Sequence, residues 1–213
     1  MGPVFRPPQS PADVAAITDA KRVLRRAVQR RRTVRPEDRR TADDAARFEQ
    51  LRAFLANAEL GTVACYLSVP PEPGTLQLIA WLASRGVRVL LPVFTEPATP
   101  AEPTGEPDWA AYAGPEHLRQ GPRSLIEPTT PAMGADALSE AQLIILPGLA
   151  GNTGGDRLGR GGGWYDRALR HADGAAVTVL LLNDDEVVEA IPTHRHDRTV
   201  DVIITPTRVL DCG

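Results

Sequence analysis

TVACYLSVPPEPGTLQLIAWLASRGVRVLLPVF, residues 62–94, carries the pattern from which the fold can be read. Its two ends, TVACYL at 62–67 and VRVLLPVF at 87–94, are short apolar runs without polar alternation, the mark of strands buried on both faces. Between them SVPPEPGT, residues 68–75, is dense in turn formers, and the helical segment that follows runs through Ser84, with Thr75 to cap it and Arg85-Gly86 to close it. Strand, loop, helix and strand make one βαβ unit, whose crossover is expected to be right-handed.

The same grammar continues outward. QLIILP at 142–147, AVTVLLL at 176–182 and VDVIITP at 200–206 are three further apolar strand candidates. Helices are expected at about 17–33, 36–56 and 165–170, with at most a short one at 186–190. Continuous apolar strands alternating with helices predict an α/β fold: three layers, a mostly parallel central sheet and helices on both faces. In such a sheet ligands bind at the carboxyl ends of the strands. Residues 1–16, rich in proline and poor in apolar side chains, are expected to form a disordered arm, and 17–213 a single α/β domain. The Pro-, Glu- and Thr-rich stretch at 95–107 reads as a loop or a lid-like excursion. Trp109 and Tyr112 just beyond it can anchor that loop or stack on a flat ligand.

Composition narrows the function class. Hydrophobic residues at 42% and charged residues at 24% describe an ordinary globular chain, and no apolar stretch is long enough to span a bilayer. The N-terminus lacks the apolar core of a secretory signal, so a cytoplasmic location and no membrane partner are expected. Cys65 and Cys212 are too few and too distant for a metal or redox motif. The net charge of -3 conceals ten basic residues between Lys21 and Arg40. Such a run is either a solvated helix face or an attractor of anions. Nucleic acid is not the expected partner, because no aromatics are interleaved with the basic residues and the chain is acidic overall. Of the 24 basic residues, Lys21 is the single lysine, on one helix face with Arg25.

The most pointed stretch is LPGLAGNTGGDRLGRGGGWYD, residues 146–166, a strand end, a glycine loop and a helix start. Six of the 18 glycines fall between Gly154 and Gly163, with Arg157 and Arg160 among them. Backbone N–H groups and guanidiniums converging there suit a phosphate, although a flexible surface turn would also use glycine. It is not a P-loop, for it has no lysine. Nor is it a dinucleotide turn, for Trp164 stands where G-x-G-x-x-G needs its last glycine.

RLGRGGGWYDR, residues 157–167, resembles the signature of the 5-formyltetrahydrofolate cyclo-ligase family, also called 5,10-methenyltetrahydrofolate synthetases. KRVLR at 21–25, the strand and loop ending in Glu72-x-x-Thr75, the Glu-Pro turn at 127–128 and the closing loop and strand 192–205 resemble further family segments in the same order. The resemblance implies an ATP- and Mg²⁺-dependent ring closure of 5-formyltetrahydrofolate to 5,10-methenyltetrahydrofolate, with the formyl oxygen phosphorylated on the way. It implies that Lys21 and Arg25 bind the nucleotide phosphates, with Arg157, Leu158, Gly159, Arg160, Gly161, Gly162, Gly163, Trp164 and Tyr165 forming the nucleotide loop. Lys21 and Arg160 are the expected catalytic cations. Glu72, Trp164 and Tyr165 are expected on the folate, and Asp166 and Asp201 on the metal. A small-molecule enzyme acting as a monomer is expected. The sequence departs from the family pattern at Trp164, where a tyrosine is usual, at Ser124, where a glycine is expected, and at Arg123, near which some members carry an aromatic. The folate wall is therefore open, with Trp109 or Tyr112 as substitutes. His194 and His196 form an H-x-H with no third ligand in reach by spacing, and are expected to serve in packing or hydrogen bonding.

Overall fold

A computed structural model describes residues 10–94, 105–121, 125–194 and 197–213. Its centre is a seven-stranded sheet. In chain order the sheet strands are β1 (Thr62–Cys65), β2 (Arg88–Phe94), β3 (Pro107–Ala111), β6 (Leu143–Pro147), β9 (Val177–Leu181), β10 (Val202–Ile204) and β11 (Val209–Asp211). They lie side by side as β11-β10-β9-β6-β1-β2-β3. The five inner strands are parallel, and the edge strands β3 and β11 are antiparallel to their neighbours. Two small ribbons stand outside the sheet, β4 (Leu118–Gln120) with β5 (Ile126–Pro128) and β7 (Ala150–Gly151) with β8 (Arg157–Leu158).

The apolar runs are continuous because both faces are covered. Val63, Cys65, Val89, Leu91, Leu143 and Ile145 point to one side, where Phe48 and Leu51 of α2 (Glu37–Phe54) and Leu78, Ile79 and Leu82 of α3 (Leu76–Ser84) bury them. Ala64, Leu90, Ile144, Leu146 and Leu180 point to the other, under α4 (Trp164–Ala168) and a 3₁₀ segment, Ala135–Glu140. This is the alternation a pleated strand imposes, with apolar residues at both phases. No helix among the described residues is long and apolar enough to cross a membrane.

The first helix, α1, spans Pro11–Val34 and begins six residues earlier than the sequence suggested. Residues 11–16 of the expected arm are helical because Ser10 and Asp13 form a capping box around Pro11: the Asp13 N–H donates to Ser10 Oγ at 3.2 Å and the Ser10 N–H to Asp13 Oδ2 at 2.9 Å. Residues 1–9 of that arm, and 95–104 of the lid-like stretch, lie outside the described residues. The buried face of α1 takes only part of its apolar positions: Val28 is buried with Leu24 packed beside it, but Val23 is 66% exposed, while the charged Lys21 and Arg32 are buried. Polar partners explain this choice. Arg32 donates to both oxygens of Glu186, at 2.6 and 2.7 Å, and to the carbonyl of Gly148 at 2.7 Å. A buried ion pair of this kind contributes little net stability, but losing one partner is costly, so it fixes where α1 must lie. That place is across the β7/β8 ribbon, with Val28 packed among Leu149, Ala150 and Leu158.

Candidate active site

Chain order runs outward in opposite directions from the middle of the sheet: β1 leads to β2 on one side, and β6 to β9 and β10 on the other. At that switch point the carboxyl ends of adjacent strands splay apart, which is where open α/β sheets bind ligands. A cleft of about 1080 Å³ lies there, lined from β1 by Tyr66, Leu67 and Glu72, from β2 by Pro92 and Phe94, and from β6 by Pro147 and Gly148. The glycine loop closes it on one side and α1 on another. The residues named from the sequence for nucleotide, folate and metal line this cleft except Asp201; Trp109 and Tyr112, the substitutes offered for the folate wall, do not line it.

On the α1 wall, Lys21 Nζ donates to Asp197 Oδ2 at 2.5 Å, and the same oxygen accepts the His194 N–H at 2.7 Å. Thr18 Oγ1 lies 3.3 Å from His194 Nε2, a second tie between the helix and the closing loop. Arg25 donates through Nε to the Gly159 carbonyl at 2.8 Å. Burial holds its pKa below the ordinary guanidinium value, against the opposing pull of Asp197. The loop is shaped to admit that side chain: at Gly161, φ is +104°, and a Cβ there would stand 3.3 Å from the Arg25 Cζ. Gly163, at φ +67°, makes the left-handed entry into α4.

Arg157 and Leu158 lie on β8, and both are buried. Arg157 donates through Nη2 to Asp166 Oδ1 at 2.6 Å, so its guanidinium orients that carboxylate from beneath the loop. Arg160 is the loop's outward cation, 57% exposed, and its Nη2 meets Glu72 Oε1 at 2.8 Å across the cleft. Glu72 is nearly buried, and its other oxygen accepts the Val69 N–H at 3.0 Å. Trp164 packs against Phe94, Trp109 and Tyr165, with ring centroids at 5.5, 5.3 and 4.8 Å. Burial pushes the Tyr165 phenol well above its ordinary pKa, and the nearby Glu72 charge adds to the shift. Phe94 and Trp164 thus supply the aromatic wall, whereas Trp109, 1% exposed, backs it from β3 and is an anchor rather than a stacking face. Ser124 and Arg123 lie outside the described residues.

Asp201 is a correction. It directly precedes β10, hence stands at the amino end of the parallel strands, where its Oδ2 accepts the Thr178 N–H and hydroxyl at 2.8 and 2.7 Å. The carboxylate that the closing loop does bring to the cleft is Asp197, four residues earlier. The amino-end position of Asp201 was available as a signal, because the residue before a parallel strand cannot reach a carboxyl-end site. His194 makes the hydrogen bonds its spacing allowed and also lines the cleft, while His196 lies outside the described residues. Among the described residues, no three His, Cys, Asp or Glu side chains gather as a ready metal cage.

Comparison with known proteins gives one consistent result. The family model described as the 5-formyltetrahydrofolate cyclo-ligase family matches residues 17–206. A 5-formyltetrahydrofolate cyclo-ligase of Mycolicibacterium smegmatis is 37% identical over 185 residues, covering 83% of this chain and 92% of that protein. One of Escherichia coli is 30% identical over 182 residues, covering 85% and 97%. The 5,10-methenyltetrahydrofolate synthetase of Aquifex aeolicus, solved by NMR, superposes with a TM-score of 0.73 at 24% identity over 90% of this chain and 92% of that one, a likeness of fold.

Proposed function

The chain belongs to the 5-formyltetrahydrofolate cyclo-ligase family and is a ligase, and we propose that it closes 5-formyltetrahydrofolate to 5,10-methenyltetrahydrofolate using ATP and Mg²⁺. The observation that carries this reading is the 2.8 Å contact between Arg160 and Glu72. It joins a loop suited to phosphate with a nearly buried carboxylate suited to the N–H groups of a pterin, so a phosphoryl donor and a folate would share one cleft.

The chemistry asks for little more than that adjacency. A formamide oxygen is a poor leaving group. In the proposed reaction it attacks the γ-phosphorus of ATP, the bond to the β-phosphate oxygen breaks and ADP departs. N10 then attacks the activated formyl carbon, the C–O bond breaks, phosphate leaves with the bonding pair, and the N10 proton goes to solvent. Transfer of this kind depends on positioning and charge stabilisation rather than on a protein nucleophile. Lys21 and Arg25 would hold the phosphates from α1, and Arg160 would neutralise charge on the group in transfer. Doing so requires Arg160 to exchange Glu72 for phosphate, as a pterin taking over Glu72 would allow.

The residues present fit a magnesium ion. Asp166 uses Oδ1 for Arg157, and its other oxygen stands outside that ion pair. Mg²⁺ commonly takes one or two carboxylates and fills its octahedron with phosphate oxygens and water, so no larger protein cage is needed. When bound it would supply charge neutralisation between the phosphates, with Asp197 as the second nearby carboxylate. The deciding assay follows methenyl-folate absorbance with 5-formyltetrahydrofolate, ATP and Mg²⁺. Signal that requires all three is expected; folded protein giving none would overturn the reading.

A further inference from the structure

Glu72 sits in the loop between β1 and α3, and that loop is tied at its base. The Ser68 N–H donates to Thr75 Oγ1 and the Thr75 N–H to Ser68 Oγ, both at 3.0 Å. The Tyr66 hydroxyl donates to the Pro73 carbonyl at 2.7 Å. These bonds all lie within the βαβ unit. One backbone tie comes from another element: the Gly74 N–H donates to Asp44 Oδ1 on α2 at 2.9 Å.

Asp44 is itself held in place. Its Oδ1 accepts Arg47 Nη1 at 2.6 Å, and Arg47, 1% exposed, is anchored on the end of β9 by the Leu182 carbonyl at 3.0 Å and Asn183 Oδ1 at 2.8 Å. The contact is also built around the glycine, because a Cβ on Gly74 would fall 2.6 Å from Asp44 Oδ2 and 2.9 Å from its Cγ. Asp44 is 39% exposed, so its ion pair contributes little to stability. What it does contribute is a fixed acceptor for the N–H of Gly74, two residues beyond Glu72. We propose that Asp44 is a positioning residue: braced by Arg47, it sets the loop so that the Glu72 carboxylate faces the cleft at the height a folate requires. This inference rests on the folate reading of Glu72.

The test is a double-mutant cycle read by KM for each substrate separately. Asp44→Ala is expected to raise the folate KM about tenfold while the ATP KM stays within about twofold, the split a general loosening of the fold would not give. Asp44→Asn, whose amide oxygen can still accept the Gly74 N–H, should restore most of the folate affinity. Gly74→Ala pushes the carboxylate away and should reproduce the loss. Combined with Asp44→Ala it meets no carboxylate, so the double variant should be no worse than Asp44→Ala alone, a non-additivity that contacting residues show. The proposal is overturned by a folate KM that does not move, by folate and ATP KM rising together, or by additive losses. Should Asp44→Ala not fold, Gly74→Ala is read alone, and a wild-type folate KM there overturns it too. Failure of the folate reading itself would show separately, as wild-type protein without 5-formyltetrahydrofolate turnover.

Discussion

Asp166 and Asp201 carry the same functional group and meet opposite fates. Asp166 opens a helix at the cleft and is gripped through one oxygen by buried Arg157, whereas Asp201 spends its Oδ2 on Thr178 at the far end of the sheet. Replacing Asp166 by alanine would strand the Arg157 guanidinium in the interior, a loss of about 3–5 kcal/mol that would obscure any role in turnover. Asparagine is the sharper probe, since its amide oxygen keeps the Arg157 bond and removes the charge. Asp166→Asn is expected to lower kcat by about tenfold or more with nearly unchanged thermal unfolding, while Asp201→Asn keeps wild-type turnover. Steady-state assays beside thermal scans check both; an active Asp166→Asn would remove that carboxylate from the metal side. Arg160→Ala should likewise cost about tenfold in turnover, as lost transition-state charge contacts do. At this level the sequence was legible wherever the chemistry is local. The arginine–glycine loop announces itself within eleven residues, 157–167, because its glycines and guanidiniums act together on one short span. Asp197 could not be found that way. It reaches Lys21 across 176 positions, through a loop with no period to follow.

The glycine loop and α4 work as one element, and their geometry depends on backbone more than on side chains. With φ at +104°, Gly161 occupies a conformation that costs an L-residue of order 1–3 kcal/mol, and a methyl group there would also press on Arg25 at 3.3 Å. Gly161→Ala is therefore expected to displace Arg25 and raise the ATP KM about tenfold, with the circular dichroism spectrum unchanged. A wild-type ATP KM in a folded variant would show that the loop does not form the nucleotide wall. Elements differed in how openly the sequence declared them. The five inner strands were readable because burial on both faces forces continuous apolar runs. β3 and β11 were not: β3, PDWAA at 107–111, opens with the proline and aspartate of a loop, and β11, VLD at 209–211, is only three residues long. For α1 the position was right, and the face it buries joins Val28 to Lys21 and Arg32, whose ion pairs with Asp197 and Glu186 leave Val23 outside.

Across the molecule, the layers meet over acids that folding keeps protonated. Cys65 is fully buried on β1, and desolvation pushes its thiol far above the ordinary range, outweighing a lowering hydrogen bond from Thr75. The Tyr66 phenol is pushed up by burial and then by the Glu72 charge, and Tyr165 is raised by the same two causes in the same order. In the unfolded chain these groups titrate near ordinary values, about 8.5 for a thiol and about 10 for a phenol. Below those values both states hold the protons and the full stability is present. As pH climbs past them, the unfolded chain releases protons that the folded chain retains, and linkage makes stability fall. Urea unfolding is accordingly expected to give a constant midpoint between about pH 7 and 8 and a midpoint that declines steadily from about pH 9 to 11. Cys65→Ala removes the larger of two thiol titrations, since burial raises the Cys212 thiol as well. It should lower the midpoint uniformly, through the lost volume of a buried sulfur, and should make the first part of the decline shallower. A midpoint in the wild type that holds or rises through pH 11 would mean that the interior around β1 is open enough to ionise, and with it that the two sheet faces are less tightly covered than their packing implies.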